Sequence, residues 1–346
     1  MPAPGIDVLV RGAGPVGCVA AIALSRSGKS VRLVGSESKR SGFRPIVLSY
    51  ASRLILERIG VWKALEASTI DTIHVSQAGR FGRTVFEAAD AGVPALGYVV
   101  EYSLLLQVLH EAAHDLFSAD EAGAHCVVHA EGASRDASEK RYSQDAVVAS
   151  VRFDRAAGTT AFERFTREGP LALLPLAGRY ALVWSMRPQS AQEIIAMQDE
   201  RFLEALAAAA GSRPGRPVAV AARGVQPLVL RVREQPVGER AVYIGNAAQT
   251  LHPVAGQGLN VGLRDAWDLA QILRDAPDPG DAATLARFAA RRRLDAGAAA
   301  RVTDLLAQAF LRTSPFHAAA LTMLDIFPAA RRFFARRMIY GPSALP

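Results

Sequence analysis

The chain has 346 residues, 50% of them hydrophobic and 21% charged, with a formal net charge of +7. That size and apolar content provide one or two buried cores and exclude a disordered or fibrous chain, while two cysteines, Cys18 and Cys126, read as buried free thiols rather than a disulfide framework. No run of about 18 apolar residues occurs, so no transmembrane helix is expected, and the absence of a basic and apolar leader before the first strand gives a cytoplasmic expectation.

Ile6 to Val10 is an apolar β-type run followed by Gly12-Ala13-Gly14-Pro15-Val16-Gly17, a helical pattern over Val19 to Leu24, and a second apolar run, Val31 to Val34. This is G-x-G-x-x-G in a strand–turn–helix context. Gly12 is expected to make the turn, Gly14 to let the backbone approach a pyrophosphate, and Gly17 to bring helix onto strand. An acidic residue ordinarily closes the second strand to hold a ribose; the counted position is Gly35, so Glu37 is the candidate substitute. A helical run over Tyr50 to Ala67 follows, then strands at Thr72 to Ser76 and Leu96 to Val100 and a helix over Leu104 to Leu116. His110-Glu111-Ala112-Ala113-His114 has the letters of the H-E-x-x-H zinc motif, with both imidazoles expected on one helix face, but no third ligand is evident and no metal is expected. Only Phe117 to His125 separates this helix from the strand Cys126 to His129.

Alternating or apolar runs at Ala146 to Phe153, Gly169 to Pro175 and Tyr180 to Met186 are sheet grammar. Ala191 to Ala209 reads as one helix and Arg223 to Val232 as strand. The apolar run Ala241 to Ile244 then enters Gly245-Asn246-Ala247-Ala248-Gln249-Thr250-Leu251-His252-Pro253-Val254-Ala255-Gly256-Gln257-Gly258-Leu259-Asn260, which leads to the amphipathic run Ala266 to Leu273. Backbone N–H groups of such a loop, bare at Gly256 and Gly258, lie at a helix N-terminus where an anion or a flat ligand is favoured. From Ala266 onward the pattern is helical, broken at Pro277-Asp278-Pro279-Gly280, Ser314-Pro315 and Pro328.

The two glycine loops, with Arg44-Pro45-Ile46-Val47-Leu48-Ser49, Glu168-Gly169-Pro170-Leu171-Ala172-Leu173-Leu174-Pro175 and Arg336-Arg337-Met338, resemble the group A flavoprotein monooxygenases, the fold family of p-hydroxybenzoate hydroxylase. The wording at 245 to 253 is most similar to the ubiquinone-biosynthesis hydroxylases, on the 2-octaprenyl-6-methoxyphenol hydroxylase branch. The resemblance implies an α/β fold: a Rossmann-like FAD-binding domain from residues 1–70, 100–135 and 238–275, an inserted mixed β-sheet substrate domain from 71–99 and 140–237, and a helical region over 276–346. Relatives carry a longer segment where this chain has Phe117 to His125, so a missing edge strand beside the adenine is expected.

The resemblance also implies FAD bound non-covalently, NAD(P)H as a transient reductant, and O₂ as co-substrate for hydroxylation of an aromatic ring, a polyprenyl phenol first. A soluble aromatic acid or pigment precursor, and a flavoprotein-like scaffold without catalysis in a biosynthetic complex, remain alternatives. It assigns Gly12, Gly14 and Gly17 to the pyrophosphate, Arg44 to the phosphate or ribityl side, and Glu131, in place of the family's Asp-Gly motif, to the phosphate and ribitol region. Gln107, Gly245, Asn246, Gly256, Gln257, Gly258, Leu259 and Asn260 are the other expected cofactor contacts. Pro253 and His252 are the candidates beside the reacting ring, although a lone His before Pro is more often a loop-bracing side chain than a proton shuttle. The basic cluster Arg291-Arg292-Arg293, Arg331-Arg332 and Arg336-Arg337 fits a solvated helix face or an anionic membrane surface; no nucleic-acid motif accompanies it.

Overall fold

The computed structural model describes residues 5–35, 42–79, 82–132, 138–250, 257–293 and 327–340. The first apolar run forms β1 (Ile6–Arg11), flanked in parallel by β2 (Val31–Val34) and β8 (Ala124–His129). Val8, Leu9 and Val10 are fully buried, the continuous apolar pattern of a strand covered on both faces. β15 (Ala241–Tyr243) extends the sheet in parallel beyond β8, and β14 (Val237–Gly238) closes it antiparallel. Helices α1 (Pro15–Arg26) and α7 (Gln257–Arg274) pack on this sheet and on each other, burying Val19, Leu24, Leu263, Leu269 and Leu273. On the other side of β2, Phe117 makes a single parallel bridge to Leu33, and Ser118 donates to the Leu33 carbonyl at 3.0 Å. The expected edge strand is thus reduced to one bridge among the described residues, because only a few residues separate Phe117 from β8.

The second sheet has eight strands in the order β16 (Gln249–Thr250), β13 (Pro217–Val232), β9 (Ser138–Phe153), β12 (Arg179–Met186), β11 (Pro170–Leu176), β10 (Thr160–Phe165), β5 (Thr72–Gln77) and β6 (Arg83–Glu87). Every pairing is antiparallel except β10 with β5. A three-stranded sheet, β3 (Pro45–Ser49), β7 (Gly97–Glu101) and β4 (Ser68–Ile70), lies between the two larger ones, sharing Val99 and Ile70 with the apolar cluster of Val75, Phe86, Ala161 and Phe165. Short α3 (Ala88–Ala91) and longer α4 (Tyr102–Ala112) flank β7.

Three elements differ from the sequence expectation. The helix expected across Tyr50 to Ala67 stops as α2 (Tyr50–Arg58), because Gly60 takes a left-handed φ of 79° and a 3₁₀ turn over Trp62–Ala64 leads into β4. The run Ala191 to Ala209 is two helices, α5 (Pro188–Ile195) and α6 (Asp199–Ala210); Gln198 is extended, and Asp199 and Glu200 suit a new helix start. Strands β9 and β13 run beyond the expected segments: the polar residues 138–145 of β9 pair with residues 227–232 of β13, where Arg231 meets Glu139 at 2.7 Å, and β13 reaches back to Pro217 through an apolar stretch that pairs with residues 150–153. Beyond α7 come α8 (282–293) and α9 (Pro328–Tyr340). Ala335 and Ile339 of α9 are buried in the cluster beneath β7, and Arg331 pairs with Asp90 at 2.8 Å, so this helix is docked on the body of the protein. No described helix is long and apolar enough to cross a membrane.

Candidate active site

The end of β1 turns sharply at Gly12, whose φ of 106° suits glycine and whose N–H donates to the Val34 carbonyl at 2.7 Å. A side chain there would lie 2.5 Å from the backbone of Ala130 and Glu131, and one at Gly17 would overlap the Gly12 carbonyl. Gly35 is equally confined, 2.7 Å from the Ala13 nitrogen, so an acidic side chain at the counted ribose position has no room; Glu37 lies outside the described residues. Gly14 is different. Its φ of −74° and ψ of 174° suit any residue, and a Cβ there would find only the Tyr102 hydroxyl, 3.9 Å away. Gly14 caps α1, which has no side-chain cap and no acid in its first turn. Unpaired helix N–H groups therefore face open space next to a residue without a side chain, the donor set a diphosphate requires.

Side chains of α4 brace this turn. His110 Nε2 lies 2.7 Å from the Ala13 carbonyl oxygen. His114 sits in a 3₁₀ turn beyond the end of α4 and contacts exposed Asp115 at 3.1 Å, so the two imidazoles do not share a helix face. The expected H-E-x-x-H geometry fails because the helix ends at Ala112. The Arg44 guanidinium stacks over the Tyr102 ring, 4.5 Å from its centroid, while Tyr102 donates its backbone N–H to Arg44. Gln107 is exposed and donates to Glu111 at 3.1 Å. Glu131 contacts His129 Nδ1 at 2.9 Å, and His129 stacks on Tyr243 with centroids 4.7 Å apart. Burial pushes the Glu131 carboxyl up, but His129 and two backbone N–H groups outweigh it and hold the carboxyl below its ordinary range.

The second loop is tied to the first through Val16. Gly245, with φ 56°, would place a Cβ 3.0 Å from the Val16 side chain, and Gly262 one at 2.7 Å from it. These two glycines let α7 cross α1 closely, so Gly245 acts as a packing residue. Asp265, 4% exposed, accepts from Arg292 Nε at 3.1 Å and lies 3.4 Å from the Gly245 nitrogen. Asn260 is 1% exposed: its Oδ1 accepts from the Ser49 N–H at 2.8 Å and the Ser52 hydroxyl at 2.7 Å, and its Nδ2 donates to the Val47 carbonyl at 2.9 Å. Its side chain fastens the start of α7 to the β3–α2 junction. Leu259 packs against the core, Asn246 is exposed, and Gln257 opens α7. Among the described residues a Cβ at Gly258 would meet nothing within 4 Å, so here again the backbone at a helix start is left bare. His252, Pro253 and Gly256 lie outside the described residues.

The sequence profile of the FAD binding domain family matches residues 5–117 and 119–303. The chain belongs to this family. It is 31% identical to the ubiquinone hydroxylase UbiL of Rhodospirillum rubrum over 88% of this chain and 81% of that protein. With the 3-demethoxyubiquinol 3-hydroxylase of Escherichia coli the identity is 28% over 84% of this chain and 86% of that protein. The fold is that of the p-nitrophenol 4-monooxygenase of Pseudomonas putida, with a TM-score of 0.77 at 15% identity, covering 98% of this chain and 99% of that one. The enzyme is an FAD-dependent monooxygenase, and the open backbone at Gly14 and Gly258 fits its cofactor.

Sequence reasoning missed the supporting residues of this flavoprotein: His110, Tyr102, Ser49, Ser52, Asp265 and Arg292. His110, Ser49 and Arg292 lay in motifs read for other reasons, and none of the six carried a signal for the bracing role that the structure gives it. One more group stands out, Glu163 on β10, flanked across the sheet by Val75 and Ala172. Burial without a cationic partner pushes its carboxyl up to about 8. Cys18 and Cys126 are buried thiols, each pushed up to about 12 by burial, and neither supplies a thiolate.

Proposed function

We propose that this enzyme hydroxylates the ring of a polyprenyl phenol in ubiquinone biosynthesis, with NAD(P)H as reductant and O₂ as oxidant. The observation that carries the reading is the pair of bare helix starts, at Gly14 and Gly258, in a chain aligned over most of its length with ubiquinone hydroxylases. FAD, when bound, supplies hydride acceptance and O₂ activation. Gly14 and the first N–H groups of α1 would hold its diphosphate, with Gly12 making the turn beneath it, and the Arg44–Tyr102 stack borders the same opening. The N–H groups of Gln257, Gly258 and Leu259 at the start of α7 favour negative charge, as an oxyanion hole does. Asn260 fixes their direction. Pro253 and His252, outside the described residues, keep the assignment that the resemblance implies, beside the reacting ring, where they would help to exclude water.

A substrate with a polyprenyl tail resides in the bilayer, and α9 offers an edge for docking. Phe327 and Phe333 are 51% and 59% exposed, and Arg332 and Arg336 beside them are exposed too, a pairing suited to anionic lipid. The purified protein is expected to show flavin bands near about 370 and about 450 nm and to couple NAD(P)H oxidation to hydroxylation of a short-chain prenyl phenol. A flavin-bearing protein that hydroxylates only soluble aromatic acids would refute the substrate class. A protein without flavin after reconstitution would favour a non-catalytic scaffold, in line with the reduced edge beside β2.

A further inference from the structure

Away from both glycine loops, a cavity of about 740 Å³ opens where β5, β6 and β10 meet the segment after α6. Along β5, His74 and Ser76 alternate with Ile73 and Val75, which face the apolar cluster shared with β7 and α9. The cavity therefore lies on the opposite face of the sheet. The register sets Ser76 between Arg164 and Arg83, and Ser212 and Arg213 complete the wall. Gly211 turns with φ 74°, and a Cβ there would stand 3.1 Å from the Arg164 guanidinium, so the left-handed glycine leaves that group its place.

Among the described residues three buried polar atoms of the lining, His74 Nε2, Gln77 Oε1 and Arg164 Nε, have no hydrogen-bond partner. His74 is only 6% exposed, yet its Nε2 is buried without a hydrogen bond, and Arg164 Nε is likewise buried and unbonded. Among the described residues no carboxylate lines the cavity or pairs with Arg83, Arg164 or Arg213. Elsewhere on the same sheet and its borders Arg179, Arg187, Arg223 and Arg231 each meet an acid. Three guanidinium groups without a carboxylate repel one another, Arg83 and Arg213 from exposed positions and Arg164 partly buried, and a buried polar atom without a partner costs about 1–3 kcal/mol, so an anion would complement the arrangement. Burial, followed by Arg213, Arg83 and Arg164, holds His74 below its ordinary range, so its ring is a neutral hydrogen-bonding group beside the guanidinium groups. Two hydroxyls and three guanidinium groups supply more donors than a carboxylate accepts, and match the three terminal oxygens of a phosphate monoester.

We propose that this cavity is a second binding site, specific for a small molecule or lipid headgroup carrying a phosphate monoester. The test is calorimetric titration of the full-length enzyme, at constant ionic strength in chloride, with inorganic phosphate, glycerol phosphate, and vesicles containing phosphatidic acid. Saturable binding at one site with Kd at or below about 1 mM is expected. Arg164→Gln and exposed Arg213→Gln should each weaken it about tenfold or more, with flavin content and thermal midpoint kept. Arg216→Gln, on the same segment but outside the cavity lining, should bind as the parent does. Binding of glycerol phosphate alone supports the site with a soluble ligand; Arg213-dependent binding of the vesicles supports it with a lipid one. Absence of saturable binding by all three probes, or equal weakening by Arg216→Gln and Arg213→Gln, would overturn the proposal.

Discussion

Gly14→Ala and Gly17→Ala add the same methyl group three residues apart and are expected to fail in opposite ways. At position 14 the backbone already has dihedrals any residue adopts, and the new Cβ meets only the Tyr102 hydroxyl at 3.9 Å. Alanine is a poorer helix cap than glycine but leaves the unfolded chain less entropy, so the flavin-free protein should change by less than about 1 kcal/mol. The methyl group occupies the space in front of the α1 N–H groups, and loss of one or two charge-assisted hydrogen bonds to the diphosphate costs about 3 kcal/mol, roughly a hundredfold in FAD affinity. At position 17 the methyl group overlaps the Gly12 carbonyl and also comes within 3.3 Å of Ala130 Cβ. Those are fixed atoms, so α1 must move off β1, at about 3 kcal/mol or more. Urea denaturation of both flavin-free proteins, with titration of each by FAD fluorescence quenching, separates the two effects. Equal destabilisation of the two variants, or parent-like FAD affinity in Gly14→Ala, would refute the division into one ligand-facing and one packing glycine.

Glu163→Gln tests the raised carboxyl. The folded state keeps a proton up to about pH 8 that an ordinary glutamate releases near 4.5, so stability should fall as pH rises through that window and the variant should lose the slope. Full desolvation sets an upper bound of about 5 kcal/mol, and because Glu163 keeps some solvent contact about 2 kcal/mol is expected; identical urea midpoints versus pH in both proteins would count against it. Asn260→Ala strips three partners from buried groups and should cost about 3 kcal/mol and loosen FAD; a loss below about 1 kcal/mol by thermal melting would show that the α7 start is held otherwise. Arg292→Leu removes the buried guanidinium that pairs with Asp265 and should destabilise by about 3 kcal/mol, with Arg292→Leu/Asp265→Asn recovering part of that loss in the same melts.

The parallel sheet and its glycine turn were readable because Ile6 to Val10 and Gly12-x-Gly14-x-x-Gly17 have local causes: apolar continuity and backbone sterics. The break at Ala196 to Gln198 was not, since Ala191 to Ala209 keeps helical composition throughout and only the start signal at Asp199-Glu200 divides it. Similarly, the polar residues 138–145 of β9 are strand because residues 227–232 of β13 pair with them, a long-range fact absent from that segment alone. In the site, the spacing of the motif already separates Gly14 from Gly17, and the structure adds their surroundings, the Tyr102 hydroxyl beside the first and the Gly12 carbonyl against the second. Asn260 reads as part of a cofactor loop, yet its amide is spent on Val47, Ser49 and Ser52, more than 200 positions earlier.

Val16, inside the first glycine motif, is the side chain on which Gly245 and Gly262 rest. Two glycine signatures more than 200 positions apart thus share one mechanical contact, the Val16 side chain. Occupancy at either end is then felt at the other. ADP, which carries a diphosphate but no isoalloxazine, should slow amide hydrogen exchange within α7 although it reaches only the start of α1, and Val16→Ala, by opening a gap at the crossing, should confine that protection to α1.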